Sequence, residues 1–447
     1  MDSTERLLVD GYVFGYPLVY NLSSIQAIAA HGMSGALPAP GWNRFAFAPR
    51  LSTPDDDFVS VNNDTLYAIA FLDLSGGPVR LHVPDTDGAY YVLQFVDAWT
   101  DNFAYVGRRA TGTGEGEFLL VPRGWSGAAP DGVRVIESPT DVAAIVGRFA
   151  VDGEEDLPRV RRIEAGLELE PLPGNGPLRG IPRSHAADLP EHLRPWELMR
   201  AWSQAFPPAQ PDREYLRRFA PYGLTDPGNP YGIVSRELDA HLAHATAEGR
   251  NRIEELSRPD RSSAVNGWNL LVHAFDYNLD HFGVGTIDAP EWRIADRAQA
   301  YETRARSARN GLWGNHGYEA VYGEVFVDSE GRQLNGAHAY ELRLDEDPPA
   351  DAFWSLTMYA MPDFLLVANP VERYSIGDRT PGLVRGADGS LVIRLQRERP
   401  SDDAAAANWL PTPEGDFRPM VRIYQPQASV LDGTYRLPPI VRLDQPG

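Results

Sequence analysis

The sequence predicts a mostly β protein with α, in which two antiparallel β-sandwich domains are joined by a helical segment. Three observations carry this. Short alternating apolar runs broken by turns fill two separate stretches, a helix-patterned stretch lies between them, and one strand-like heptapeptide of the first β stretch has an echo in the second. The boundaries read as an N-terminal helical segment over 1–35, a β-sandwich over 36–170, a Pro/Gly-rich linker over 171–190, a helical segment over 191–314 and a second β-sandwich over 315–447.

Residues 4–31 open on Thr4 as N-cap and carry Leu7, Leu8, Tyr12, Tyr16, Val19 and Tyr20 at helical spacing, with a break expected near Gly15-Tyr16-Pro17. From Phe58 to about Phe149 the texture changes to strands separated by turns such as Ser75-Gly76-Gly77-Pro78 and Asp85-Thr86-Asp87-Gly88. Helical patterns follow at 193–205, 231–257, 262–281 and 291–310, and β texture returns from Val321 to Leu443. The echo lays Tyr90–Val96 against Phe353–Tyr359. Successive strand residues face opposite sides, so Tyr91, Leu93 and Phe95 share an apolar core face, as do Trp354, Leu356 and Met358. The other faces carry Tyr90, Val92, Gln94 and Val96, and Phe353, Ser355, Thr357 and Tyr359. That mixture suits either a ligand groove or a sheet face packed under the helices.

Composition excludes much chemistry. The 447 residues contain no Cys, and all 41 basic residues are Arg, so there is no disulfide, no Cys-ligated metal, no thiol nucleophile, no Schiff-base amine and no phosphate-loop lysine. A formal charge of −21 argues against nucleic acid and anionic membranes as partners. The first residues lack a basic stretch followed by an apolar one, and no run of about 18 apolar residues occurs, so a cytoplasmic location is expected. Nucleophile-elbow, phosphate-loop and dinucleotide motifs are missing.

Several rare clusters fall in a fixed order: Val61-Asn62-Asn63-Asp64-Thr65-Leu66-Tyr67, Tyr90-Tyr91-Val92-Leu93-Gln94 and Asp97-Ala98-Trp99-Thr100-Asp101-Asn102-Phe103, then Phe353-Trp354-Ser355-Leu356-Thr357-Met358-Tyr359, Arg373-Tyr374-Ser375-Ile376 and Asn408-Trp409-Leu410-Pro411. The first three resemble a widespread bacterial family, domain of unknown function 1254, and the rest resemble its usual companion, domain of unknown function 1214. The resemblance spans most of the chain. It implies two jelly-roll-like β domains with helical insertions, often in an oligomer, and no established reaction. Relatives commonly place a His near the position of Phe47, which this chain lacks.

Carboxylates, histidines, phenols and Arg are left to carry any chemistry. Asp64, in a loop before a strand, is a candidate general base with Tyr67 as acid or orienting donor, and Asn63 beside it is a substrate contact. Asp97 is the second acid/base candidate. Were Asp97 or Asp101 to converge with Asp64, the site would hold the paired carboxylates of glycoside hydrolysis, with Trp99 as a stacking platform. Tyr90, Gln94, Asn102, Thr357, Tyr359 and Arg373 complete the expected substrate contacts. The structural alternatives are Asx-turns, caps and core aromatics. No cofactor is predicted. A divalent metal stays open, with His273, Asp276 and Asp280 on one helical face as weak candidates beside the His241/His244 pair.

The resulting expectation is a cofactor-independent small-molecule enzyme, of hydrolase, lyase or isomerase type and with specialised metabolism as one setting. Its cleft would lie between the β domains, roofed by helices. The alternatives are a non-catalytic carbohydrate- or small-molecule-binding protein and a self-assembling structural protein. A small molecule is the expected partner, and a homo-oligomer is compatible with the sequence.

Overall fold

The computed structural model describes residues 2–33, 36–56, 59–258 and 263–443. Phe58 and residue 262, the expected starts of the first β stretch and of one helix, lie outside the described residues. A single long helix, α1 (Ser3–His31), leads into nine strands: β1 (Phe45–Phe47), β2 (Thr65–Asp73), β3 (Val79–Val83), β4 (Tyr91–Asp97), β5 (Asn102–Gly107), β6 (Gly116–Val121), β7 (Arg134–Glu137), β8 (Val142–Ala150) and β9 (Glu168–Pro171), with α2 (Leu157–Ala165) before the last. Helices α3 (Arg194–Ala205), α4 (Gln210–Leu216), α5 (Arg236–Leu256) and α6 (Arg297–Gly311) follow. The second set of strands is β10 (Trp268–Leu271), β11 (Ala320–Val325), β12 (Tyr340–Leu344), β13 (Ala350–Ala360), β14 (Ser375–Gly377), β15 (Leu391–Gln396), β16 (Trp409–Pro411), β17 (Phe417–Pro426) and β18 (Ile440–Arg442).

These strands form four sheets, which pair into two sandwich-like halves with helices between them. In the first half the order β1-β2-β8-β4-β5 faces β7-β6-β3-β9, and in the second β10-β11-β17-β13-β14 faces β16-β15-β12-β18. The two orders are one topology repeated nine strands later, down to the parallel pairs β6/β7 and β15/β16. The register matches too: Val92 and Ser355 pair with Arg148 and Arg422 on the equivalent central strands, which lays β4 on β13 in the alignment of the sequence echo. Tyr91, Leu93 and Phe95 enter the first sandwich core, and Trp354, Leu356 and Met358 the second, because alternation turns them inward.

The fold corrects several expectations. The jelly-roll order is not shown, since β4 and β5 are adjacent antiparallel neighbours in one sheet and each four-stranded sheet ends in a parallel pair. Asp2, not Thr4, caps α1, in a capping box with Glu5. Nor does Pro17 interrupt the helix; it is itself buried, and packing along α3, α5 and α6 offsets the lost hydrogen bond. The helical patterns at 193–205, 231–257 and 291–310 correspond to α3, α5 and α6, whereas 262–281 holds an edge strand, β10, and a loop. Asn278 closes that loop by accepting from the His281 N–H and donating to its carbonyl, so local side-chain bonds replace a helical turn.

Packing of α1 on α5 depends on one glycine. A Cβ at Gly249 would stand 2.4 Å from Tyr12 Cδ1 on a buried ring. Gly249→Ala gains about 1 kcal/mol of helix propensity but overpacks a filled interface at about 1–3 kcal/mol. A net loss in urea-unfolding free energy is expected; a more stable variant would refute the tight contact. Among the described residues no helix is long and apolar enough to cross a membrane.

Candidate functional site

The outer face of the first five-stranded sheet is divided. Ile69, Phe71, Val96, Ala144 and Val146 pack under the helices, whereas Tyr90, Val92 and Ala150 meet Phe353, Ala320 and Tyr424 of the second large sheet. Ring contacts seal the second region, with Tyr90–Phe353 at 5.4 Å and Phe353–Tyr424 stacked at 4.1 Å. At the divide the surfaces part and leave a cavity of about 180 Å³. β2 and β8 turn Tyr67, Ile69, Val146 and Arg148 into it, β11 and β17 supply Tyr322, Glu324, Met420, Arg422 and Tyr424, and Trp313 and Phe275 come from the helical segment. An engineered apolar cavity of about 150 Å³ is enough to take benzene, so this one is sized for a ligand of roughly one ring.

Two buried arginines mark the polar end. On β8, Arg148 donates to Gln94 Oε1 at 3.0 Å and to the Trp313 carbonyl at 2.9 Å, and it lies over the Tyr67 ring at 5.6 Å. On β17, Arg422 donates to Thr357 Oγ1 at 3.0 Å, to the Ser60 carbonyl at 2.7 Å and to Tyr359 Oη at 2.8 Å. The two halves place these groups alike. Tyr67 pairs across to Arg148 as Tyr322 does to Arg422, and Gln94 and Thr357 occupy equivalent β4 and β13 positions. Burial opposes both charges, but surrounding phenol oxygens, joined at Arg422 by the Asp64 carboxylate, outweigh it and hold each guanidinium's pKa above its usual value.

The expected site residues divide into four groups. Tyr67 lines the cavity and accepts from Asn62 Nδ2 at 2.9 Å. Gln94, Thr357 and Tyr359 hold the two arginines, and Asn102 supports Gln94 at 2.7 Å. Asp64 is buried behind the wall, accepting from Tyr424 Oη at 2.9 Å and from Ser355 Oγ. The others are structural. Tyr90 donates to Glu319 at 3.1 Å within the inter-sheet packing, Asn63 donates to the Ser52 carbonyl at 2.6 Å, and Arg373 pins the Ala407 and Trp409 carbonyls. Trp99 is no platform: it is buried, packs on Phe14 at 5.2 Å and donates to the Phe206 carbonyl.

Asp64 and Asp97 do not converge. The Val151 N–H donates to the Asp64 carbonyl, and Asp97 pairs with Ala143. The eight steps between those β8-side positions span roughly 25 Å at about 3.3 Å each, against the 10 Å or less that paired glycosidase carboxylates require. Instead Asp97 closes a turn by accepting from the Trp99 and Asp101 N–H groups at 2.9 Å. Its own carbonyl accepts from Asn21 of α1, and Asn21 in turn accepts from Trp313 Nε1 at 2.8 Å, so this turn helps fix the cavity's Trp.

The helix-face metal set is likewise corrected. His273 and Asp276 meet at 2.6 Å in the loop and His316 completes a chain through the other Asp276 oxygen, but Asp280 turns away to Arg297. Burial pushes Asp276 up, yet its bonds with the two imidazoles outweigh this and hold it low, while His273 is raised by the same hydrogen bond. Among the described residues, Asp97, Asp101 and His281 bring ligand atoms within 4.8 Å of one another, as do Asp2, Glu5 and His241. Arg304 already lies 2.7 Å from Asp101, and the Asp2–Glu5 carboxylates are engaged in the helix cap.

Burial raises the Asp97 pKa to about 6. A carboxyl raised in the folded state contributes stability at pH values below its unfolded pKa and loses that contribution as pH rises through its folded one. The free-energy difference between Asp97→Asn and the parent should therefore move in favour of the Asn variant between about pH 4 and 6, as read from paired urea titrations. A flat difference would refute the raised value. Taking the difference cancels the opposing slopes of low-pKa carboxylates such as Asp276 and Asp328.

The residues missed in the sequence are Arg148, Arg422, Tyr322, Tyr424 and Trp313. An Arg flanked by apolar residues within each strand, alone in Val142–Ala150 and beside a second one, Arg418, in Phe417–Pro426, is the signal that marks the first two.

Comparison with known proteins matches a different family model to each half of the chain. Residues 42–171 match the model described as "Protein of unknown function (DUF1254)", and residues 319–428 match "Protein of unknown function (DUF1214)". The crystal structure of the VPA0106 protein from Vibrio parahaemolyticus is similar over 99% of this chain and 100% of that one, with a TM-score of 0.70 and 23% identity, which shows a shared fold. An uncharacterized protein from Burkholderia cenocepacia aligns over 96% of this chain and 88% of that one, with a TM-score of 0.45 and 13% identity. No curated protein matches the chain. With one domain in the N-terminal half and the other in the C-terminal half, in the expected order, it belongs to the family in which a DUF1254 domain is followed by a DUF1214 domain.

Proposed function

We propose that the chain is a small-molecule protein whose site is the cavity between the two large sheets, and that it acts on its ligand by acid–base chemistry of the hydrolase, lyase or isomerase type. The observation that carries this is the cavity itself: a space of about 180 Å³ with apolar walls and a few convergent polar groups. Tyr67, oriented by Asn62, and Tyr424, hydrogen-bonded to Asp64, are phenols at the cavity wall, and a phenol beside a carboxylate is a competent proton relay. Among the sequence candidates Tyr67 and Asp64 keep a place in this reading, and Asp97 does not.

The test is to incubate the chain, with and without chelator, with one-ring and similarly sized metabolites and to follow products by mass spectrometry. Turnover is expected to fall about 100-fold or more in Tyr67→Phe while ligand affinity changes little. A specific observation favours binding without turnover as the second reading: both Asp64 oxygens are already occupied by hydroxyl donors. Binding that leaves every compound unchanged would select it, and failure of every compound to bind would refute both.

A further inference from the structure

The charges around the cavity do not balance. Two partly buried ion pairs lie near it, Arg109 with Glu319 at 2.6 Å and Arg418 with Glu324 at 2.8 Å. Arg148 and Arg422 have no carboxylate within ion-pair distance among the described residues, and both lie in the buried wall. Arg50, which also lines the cavity, is paired with Asp56 at 2.8 Å, and buried Asp64 is linked to the Arg422 side through Tyr424. Set against Asp64, the guanidiniums of Arg148 and Arg422 leave one positive charge at the buried wall of the cavity, although the whole chain carries −21. Farther out Arg258 and Arg306 line the same cavity. An uncompensated buried charge is costly, and a neutralising ligand removes that cost.

The donors also have capacity to spare. The hydrogen bonds of Arg148 and Arg422 use their terminal NH groups, and neither Nε–H has a partner among the described residues. In contrast to the Nε atoms of Arg304 and Arg418, these two are not sealed away from solvent-sized space. Guanidinium forks match carboxylate oxygens. Ile69, Val146, Trp313 and Met420 offer apolar surface for the remainder of a ligand.

We infer that the cavity takes a small organic monoanion, a carboxylate on an apolar body of about one ring, with its charge facing Arg148 and Arg422; this rests on the small-molecule reading of the same cavity. The test titrates the full chain at pH 7 by calorimetry with benzoate, benzamide, benzylamine and octanoate. Benzoate is expected to bind at least about tenfold more tightly than benzamide, the worth of one charge-assisted bond, and benzylamine not to bind. Arg148→Met and Arg422→Met should each erase that preference while still binding benzamide, which also reports that the cavity is folded. Equal affinity for benzamide and benzoate would overturn the anion inference and leave the small-molecule site standing. Binding of none of the four would overturn both.

Discussion

Arg304→Met is expected to lower unfolding free energy by about 3–5 kcal/mol at pH 7. The Arg304 guanidinium is 4% exposed and lies 2.7 Å from Asp101 and 3.7 Å from Asp212, in a cluster that also includes Asp97 and Asp280. Burial already pushes Asp101 well above the usual carboxylate range and Asp97 to about 6, with Arg304 the principal opposing charge for Asp101. Removing it strands several carboxylates without water. They then take up protons at a higher pH, so the loss should be large at neutral pH and shrink as pH falls. Pairing Arg304→Met with Asp101→Asn should recover most of it, because the two residues share one interaction. Urea denaturation at pH 7 and pH 5 decides the matter. A loss under about 1 kcal/mol at pH 7, or the same loss at both pH values, would show that the cluster needs no internal cation.

Arg109→Met should cost a comparable amount, about 3–5 kcal/mol, and should act on the junction between halves. Arg109 projects from the turn after β5, bonds Glu319 at 2.6 Å just before β11, and covers the Tyr318 ring at 4.6 Å. Glu319 is buried and also accepts from Tyr90. Burial raises Glu319 above its ordinary value although Arg109 opposes the shift. That carboxyl contributes stability below its unfolded pKa and loses it as pH rises through its folded one. Without Arg109 the loss should therefore grow between acid and neutral pH. Proteolysis between the halves should accelerate in parallel, whereas Arg109→Lys should restore part of the stability. Wild-type stability in the Met variant would mean that ring packing alone holds the sheets together.

Much of the β architecture was legible. The core and outer faces of Tyr90–Val96 and Phe353–Tyr359, and even their mutual alignment, followed from period-two alternation and aromatic content. Three helices followed from 3.6-residue spacing. The segment His273–His281 misled because its polar residues are spaced as on a helix, whereas edge pairing of β10 and the bonds of Asn278 decide its path. The expected convergence of Asp64 with Asp97 failed over distance. Asp64 and Asp97 are similar in type and neighbourhood, and only strand register reveals that they sit toward opposite ends of β8. Arg148 and Arg422 were hidden for another reason: a cation in an apolar strand looks like a solvent-facing residue until a second sheet covers that face.

The nine-strand repeat makes the inter-sheet surface a quasi-dimer interface drawn into one polypeptide, and a true dimer would be obliged to present each ligand end with the same partner. Here covalent linkage removes that obligation. Gln94 faces Arg148 where Thr357 faces Arg422, Tyr90 occupies the position of Phe353, and Asp64 stands where the other half has Glu319. Each exchange changes donor count, size or polarity on one side only. On the proposed small-molecule reading, a ligand with a distinguishable head and tail would have one preferred way round.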